Sequence, residues 1–297
     1  MAETRKLILV TGATGKQGGA VACHLLDRGY QLRAITRNPD RPEAKALADR
    51  GVDVLKCDLN DRDCVDRAVD GAYGVFSVQA VWEEGIEGEI RQGKLLADSA
   101  KAAGVQHFVY SSVGCAQCDT GISFFDSKWQ IERHIHALNL RSTILRPVFF
   151  MENLRDPMMS NSIRGGIFSL ALPPNRSLQL ISVDDIGAFT AIAFDNPGDW
   201  VGRAVDIAGD ELTMVQIADR LSAALGLPVR YNEMPIEQLR SMSPGYATMF
   251  EWFNRHGYSC NIPELRSWHP GLSSFNTWLQ TSGFKQFVLQ PEMAVAA

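Results

Sequence analysis

Eight residues near the start of the chain, Gly12-Ala13-Thr14-Gly15-Lys16-Gln17-Gly18-Gly19, have the types and spacing to hold an anion. This G-x-x-G-x-x-G run follows the apolar stretch Leu7-Ile8-Leu9-Val10 and precedes Val21, Leu25 and Leu26 at helical spacing. Glycine reaches backbone angles closed to other residues, so the turn can be tight, and the missing side chains let a pyrophosphate approach the backbone. A helix starting near Gln17 offers that anion unpaired N–H groups and the positive end of its dipole. A plain strand–helix turn could also be rich in glycine, but the place of the run between strand and helix favours a dinucleotide. Gly12, Thr14, Gly15, Lys16, Gln17 and Gly18 are its expected contacts.

The end of the second apolar run decides which dinucleotide. An acid there would bind the ribose hydroxyls of NAD, and Ile35-Thr36-Arg37-Asn38 has none. Arg37 can stack beside adenine and fork a 2′-phosphate, with Lys45 adding charge, so NADP(H) is the expected cofactor. The bland alternative is a solvated surface arginine. Asp58 and Leu59, just past the third strand, are placed to meet the adenine edge. Gln79, at the end of the fourth, is placed beside the nicotinamide-side ribose.

The elements that must position these residues alternate. Strands are read at Leu7–Val10, Gln31–Thr36, Val52–Cys57, Tyr73–Val78, Gln106–Ser111 and Arg141–Leu145. Helices are read between them, including a long one over Glu87–Ala103 and one that carries Lys128 early and ends near Leu138. Repeated β-α units imply an α/β fold, a parallel sheet with right-handed crossovers and a ligand crevice at one edge. Beyond Arg146-Pro147 the pattern changes. Asn153–Pro174 reads as irregular, Val183–Phe194 as a helix on the sheet and Ala204–Ala208 as a strand. Thr213 and Gln216 fit a capping box before a helix over Met214–Leu225. The expected division is a dinucleotide-binding domain over 1–153, with 181–209 returning to it, and a smaller cap over 154–180 and 210–297.

Composition narrows the function classes. The 297 residues are 45% hydrophobic and 21% charged, with a net charge of -5. That is globular composition, and it argues against a nucleic-acid binder, which needs a dense basic face. No apolar run reaches the roughly 18 residues of a membrane span, and the N-terminus lacks a signal-peptide pattern, so a cytoplasmic location is expected. Cys23, Cys57, Cys64, Cys115, Cys118 and Cys260 read as thiols of a reducing compartment rather than a disulfide framework.

Several stretches together carry a family resemblance: TGATGKQGG, TRNP, KCDLND, RQGKLLADSAKAAGV, FVYSS, the Arg146–Asn153 run and SVDDIG at 182–187. The chain resembles the NmrA-like family over nearly its whole length, most of all its HSCARG-type members. That family is an atypical branch of the short-chain dehydrogenase superfamily. The resemblance implies a Rossmann-type doubly wound parallel sheet with NADP(H), and a smaller C-terminal α+β cap domain. It also implies one of two occupations, a redox or cofactor sensor that binds partner proteins or an NADPH-dependent reductase. Asn153 is suggested as a cofactor contact by the resemblance alone.

The superfamily's usual site combines a serine with Tyr-x-x-x-Lys, which puts phenol and ammonium one helical turn apart so that the phenol passes a proton as hydride arrives. Lys128 matches the lysine, and Ser111 and Ser112 stand where the serine belongs. The tyrosine position is Phe124, which transfers no proton. Two readings stay open. In one, the chain binds NADP(H) with weak or no turnover and reports the cofactor state to a partner protein. In the other, it reduces a small hydrophobic carbonyl, quinone or enone, with Lys128 or a water supplying the proton and Phe124, Phe125, Phe149 and Phe150 walling the pocket; the bland alternative for these rings, Phe149 above all, is ordinary core packing. A homodimer is compatible with both; no metal and no direct nucleic-acid partner is expected.

Weaker signals carry blander readings. Cys115-Ala116-Gln117-Cys118 is a lone C-x-x-C without the second pair a zinc site needs; just past the fifth strand it reads as two incidental loop thiols, with a redox pair near the nicotinamide as the sharper alternative. His134 and His136 fall on different faces of a helix. Tyr110 alternates away from Ser111 and reads as packing. Asp184-Asp185 reads as a helix cap. Trp82-Glu83-Glu84 reads as a loop over the cofactor.

Overall fold

The computed structural model describes residues 6–290. The chain opens as β1 (Leu7–Val10), α1 (Lys16–Asp27), β2 (Gln31–Thr36), α2 (Pro42–Asp49), β3 (Asp53–Lys56) and α3 (Arg62–Val69). It continues through β4 (Gly74–Ser77), α4 (Val81–Ala102), β5 (His107–Ser111), α5 (Ser123–Ala137) and β6 (Ser142–Pro147). Then come β7 (Phe149–Phe150), a 3-10 turn (Met151–Arg155), α6 (Pro157–Arg164), β8 (Ile167–Phe168), β9 (Ser177–Ile181), α7 (Val183–Asp195), α8 (Pro197–Trp200) and β10 (Ala204–Ile207). The last stretch is β11 (Asp210–Thr213), α9 (Met214–Leu225), β12 (Arg230–Tyr231) and five short helices between Ile236 and Leu289.

The chain divides into two compact units, one of residues 1–146 and 186–206, the other of residues 147–185 and 207–297. The first holds a seven-stranded sheet in the order β10-β6-β5-β4-β1-β2-β3. Its β1–β2, β1–β4, β2–β3, β4–β5 and β5–β6 pairings are parallel. β4 and β5 are buried along their whole length, as continuous apolar strands covered on both faces must be. The order reverses at β1, the first strand laid down, so the ends of β1 and β4 border a crevice where ligands bind in such sheets.

Sequence and structure part at several places. The helix expected from Glu87 starts six residues earlier, at Val81, because a non-helical Gly85 (φ 71°, ψ -175°) joins a short first turn to the main helix. The stretch after Asn153 is not irregular: Asp156 caps α6 by accepting from the Met158 and Met159 N–H groups, with Pro157 at the first position. The second unit begins at Pro147 rather than after Asn153, because β7 pairs with β9 in a three-stranded sheet β11-β9-β7. Asp185 does not cap α7. It accepts from His269 Nε2 (3.1 Å) and Ser273 N (3.2 Å), while Glu152 accepts from Val183 N (3.0 Å). Cys57 and Cys64 are a disulfide, not two thiols: the end of β3 and the first turn of α3 bring their Cα atoms to 5.7 Å. The capping box at Thr213 and Gln216 forms as the spacing requires. Among the described residues no helix is long and apolar enough to cross a membrane.

His107 opens β5 fully buried. Thr143 Oγ1 donates its proton to the Trp200 carbonyl (2.6 Å), so the contact between His107 Nε2 and Thr143 Oγ1 (2.8 Å) has the ring as donor. His107 Nδ1 then faces the core as a lone pair with no partner among the described residues. Burial, helped by the Arg141 and Lys6 charges, pushes the ring pKa down to about 4. The native state thus refuses a proton that the unfolded chain accepts below about pH 6.5, and stability falls as pH drops from there to about 4, by on the order of 3 kcal/mol for this group. We expect His107→Gln to flatten the pH dependence of the urea midpoint across that interval; an unchanged slope contradicts the assignment.

Candidate functional site

The glycine turn joins β1 to α1 at the crevice. Gly12 adopts φ +62°, and a Cβ on Gly18 would lie 2.3 Å from the Gly12 carbonyl oxygen. Only glycine fits position 18, because the obstacle is backbone. Gly15 precedes α1 with no capping side chain, and no acid lies in the first turn, so the positive helix end faces outward unneutralised. Gly12, Gly15 and Lys16 are exposed there, and Thr14 and Gln17 half-buried.

Four more predicted residues, Gln79, Arg37, Asp58 and Leu59, stand just past strand ends of the same unit. Gln79, past β4, is buried; its amide nitrogen donates to Ser77 Oγ (3.0 Å), and its amide oxygen has no partner among the described residues. However the amide is turned, one polar end is left over, as a site for a sugar hydroxyl would have it. Arg37 ends β2 about half exposed and pairs with Glu83 (Nη2–Oε2 2.6 Å) and Glu84 (Nη1–Oε1 3.6 Å). Asp58 closes a turn by accepting from the Asn60 backbone and side-chain nitrogens (2.8 and 2.9 Å), with Leu59 packed on the core behind it. Lys45 does not join Arg37 in any ion pair and reaches Asp40 at 4.0 Å.

The two serines at the end of β5 part company. Ser111 donates to Gln17 Oε1 (2.6 Å), which ties the strand end to the glycine turn. Ser112 is buried and donates to Glu132, which also takes a two-pronged bond from Arg146 (2.6 Å from Nη2, 3.0 Å from Nε). Ser112 therefore belongs to a buried charge network and not to the crevice. Asp206 closes that network, 3.5 Å from Arg146 Nη1, and accepts from the Cys115 N–H (3.0 Å). Burial raises the Asp206 carboxyl, against that N–H and Arg146, which lower it.

Lys128 and Phe124 lie one turn apart on α5, as the spacing required. Lys128, its side chain 16% exposed, holds Nζ 2.8 Å from Glu89 Oε1, and Ser127 Oγ donates to the other oxygen of that fully buried carboxylate. Sequence reasoning missed Glu89. Its signal was a lone acid at position 89 in the stripe Gly88, Glu89, Gln92, Gly93, Leu96, Ala97 that α4 buries. Gly93 lets α5 come close, since a Cβ there would meet Ile131 at 2.6 Å. Phe124 is half-buried between the rings of Trp82 (6.0 Å) and Phe125 (5.4 Å). Phe125, 2% exposed, is a packing residue behind Phe124 rather than a wall. Tyr110 is wholly buried, and burial raises its pKa well above the usual value, so it packs and does not titrate. Phe150 and Asn153 lie in the second unit, on β7 and the 3-10 turn, both half-buried.

The model of the NmrA-like family matches residues 4–277. The chain belongs to the NmrA-like family. An NmrA-like family domain-containing protein of Dictyostelium discoideum is 30% identical over 271 residues, 85% of this chain and 88% of its own. An NAD(P)H azoreductase of Xenophilus azovorans is 30% identical over 241 residues, 80% of this chain and 81% of its own. The crystal structure of NmrA, a negative transcriptional regulator, in complex with NADP superposes with a TM-score of 0.79 at 22% identity, covering 99% of this chain and 98% of that one, and so shares the fold. This NmrA-like chain thus has the NAD(P)-binding fold of a group that holds both regulators and reductases.

The Glu89–Lys128 pair makes a prediction of its own. Lys128→Met leaves the Glu89 charge buried with only a hydroxyl beside it, which costs about 3 kcal/mol of stability. Adding Glu89→Gln should restore most of it, read as urea unfolding midpoints; two additive losses would mean that the residues are not coupled.

Proposed function

We propose that this chain binds NADP(H) and acts as a cofactor-responsive regulator with weak or no turnover of its own. The observation that carries the second half is Phe124. In this reading Lys128 keeps the ribose-holding role of a short-chain dehydrogenase site and Ser111 stands at the serine's place, while the proton-transferring phenol is replaced by a ring that neither gives nor takes a proton. Lys128 is moreover engaged by Glu89, with its side chain mostly out of water.

Each residue has a role in this reading. The N–H groups of the Gly12–Gly18 turn hold the pyrophosphate at the start of α1, and Lys16 offsets its charge. Arg37 takes the 2′-phosphate, Asp58 and Leu59 border the adenine, and the unpartnered end of the Gln79 amide takes a hydroxyl of the nicotinamide-side ribose. Lys128 donates to the same ribose. When bound, a reduced nicotinamide would supply a hydride; no side chain at position 124 would complete its transfer with a proton. A regulator also needs different affinities for the two redox forms, because only differential binding shifts a population. The NADP complex of NmrA supports the regulator reading as analogy.

A second reading, an NADPH-dependent reductase of a small hydrophobic substrate, is favoured by the azoreductase relative and by the aromatic face of Trp82 and Phe124 near Lys128. Lys128 would then position a water or give the proton itself.

Calorimetric titration separates these. NADPH and NADP should bind the full chain more tightly than NADH and NAD, and Arg37→Ala should erase about 2 kcal/mol of that preference, roughly thirtyfold. NADPH and NADP should differ in affinity, and NADPH should not be consumed with azo dyes, quinones or enones. Sustained consumption that Lys128→Ala abolishes would replace the regulator by the reductase.

A further inference from the structure

The residue that should select the phosphorylated cofactor is already holding an anion. Arg37 presents both terminal nitrogens of its guanidinium to carboxylates of the first turn of α4: Nη2 to Glu83 at 2.6 Å and Nη1 to Glu84 at 3.6 Å. A 2′-phosphate bound by a fork needs two parallel N–H bonds from the same group. Two carboxylates and a phosphate around one cation would set like charges within a few ångströms of one another, which is unfavourable even at high dielectric. The fork serves one set of anions at a time.

The acidic turn is joined to the rest of α4 by Gly85, whose φ of 71° and ψ of -175° interrupt the helix, so the turn can swing on the glycine without unwinding the main helix beyond it. Trp82, beside the two acids, is 70% exposed. A second cation waits for one of the acids. Arg91 Nη2 lies 3.8 Å from Glu84 and is anchored by two bonds to Asn60 Oδ1 (2.8 and 3.0 Å), while Asn60 is fixed in turn by Asp58. Glu84 can therefore leave Arg37 and keep a partner, whereas Glu83 must give its pair up.

We propose that Glu83 is an internal competitor for the 2′-phosphate site on Arg37, so that the Trp82–Gly85 turn sets how strongly the chain prefers a phosphorylated over an unphosphorylated dinucleotide. Glu83 is then a specificity determinant that acts by opposing its cofactor. The inference rests on the cofactor reading given above.

The test is a calorimetric cycle on the full chain with NADPH, NADH and 2′,5′-ADP, the last carrying the phosphate without the nicotinamide. Glu83→Gln, an exposed and nearly isosteric change, should raise the affinity for NADPH and for 2′,5′-ADP about two- to fivefold, the size of one exposed ion pair, and raise the NADPH-to-NADH ratio by the same factor. In an Arg37→Ala background the same change should do nothing. An unchanged or lowered NADPH affinity in Glu83→Gln, with Arg37→Ala still weakening NADPH, overturns the competitor and leaves the cofactor reading intact. A lowered affinity would mean that Glu83 orients Arg37. A wild-type chain with no preference for NADPH, and an Arg37→Ala that changes nothing, overturns both.

Discussion

Everything in the dinucleotide-binding half depends on how closely α1 returns to the end of β1. The Gly18 backbone sits where any Cβ would collide with the Gly12 carbonyl, and Gly12 holds a left-handed backbone angle to make that turn. These two glycines aim the start of α1 along the crevice. A larger residue at 18 would push the helix off the sheet and carry its dipole with it. On the proposed reading, the phosphate site is a property of backbone packing first, and of Lys16 and Gln17 only afterwards. Ser111 reinforces the arrangement from the other side by binding Gln17.

Two buried triads of serine, glutamate and cation stand on α5 and its neighbours. Ser127, Glu89 and Lys128 form one, and Ser112, Glu132 and Arg146 the other. Each satisfies a carboxylate that would otherwise be too costly to bury. Together they tie α5 to α4 through Glu89 and to β6 through Arg146, which sets the face of α5 that carries Phe124 against Trp82. What such a site lacks is a proton carrier where the superfamily keeps one.

Much of this was legible in the sequence because its signals are local. The apolar run before the glycine turn, the bare strand tip at Arg37, the Phe124–Lys128 spacing and the capping box at Thr213 each lie within a dozen residues. Most of the rest depends on partners far apart in the chain, and some on backbone geometry that residue types do not show. Nothing near Glu89 announces Lys128, 39 residues on, and nothing near Ser112 announces Arg146. Asp185 looked like a cap because its neighbours are helical, yet the segment around Ser273 claims it. Cys57 and Cys64 looked like separate thiols because a strand end and a helix start meet only in the fold. Trp82, Glu83 and Glu84 looked like loop because Gly85 breaks the helical backbone between their turn and the rest of α4.

The most direct measurement is a crystal structure of the chain grown with NADPH. The account predicts the 2′-phosphate in the Arg37 fork, Glu83 turned away, the Gln79 amide on a ribose hydroxyl and the Phe124 ring, with no acid, nearest the nicotinamide. An Arg37 still paired with Glu83 while the phosphate is held elsewhere, or a titratable side chain bonded at the nicotinamide in the place of Phe124, would contradict it.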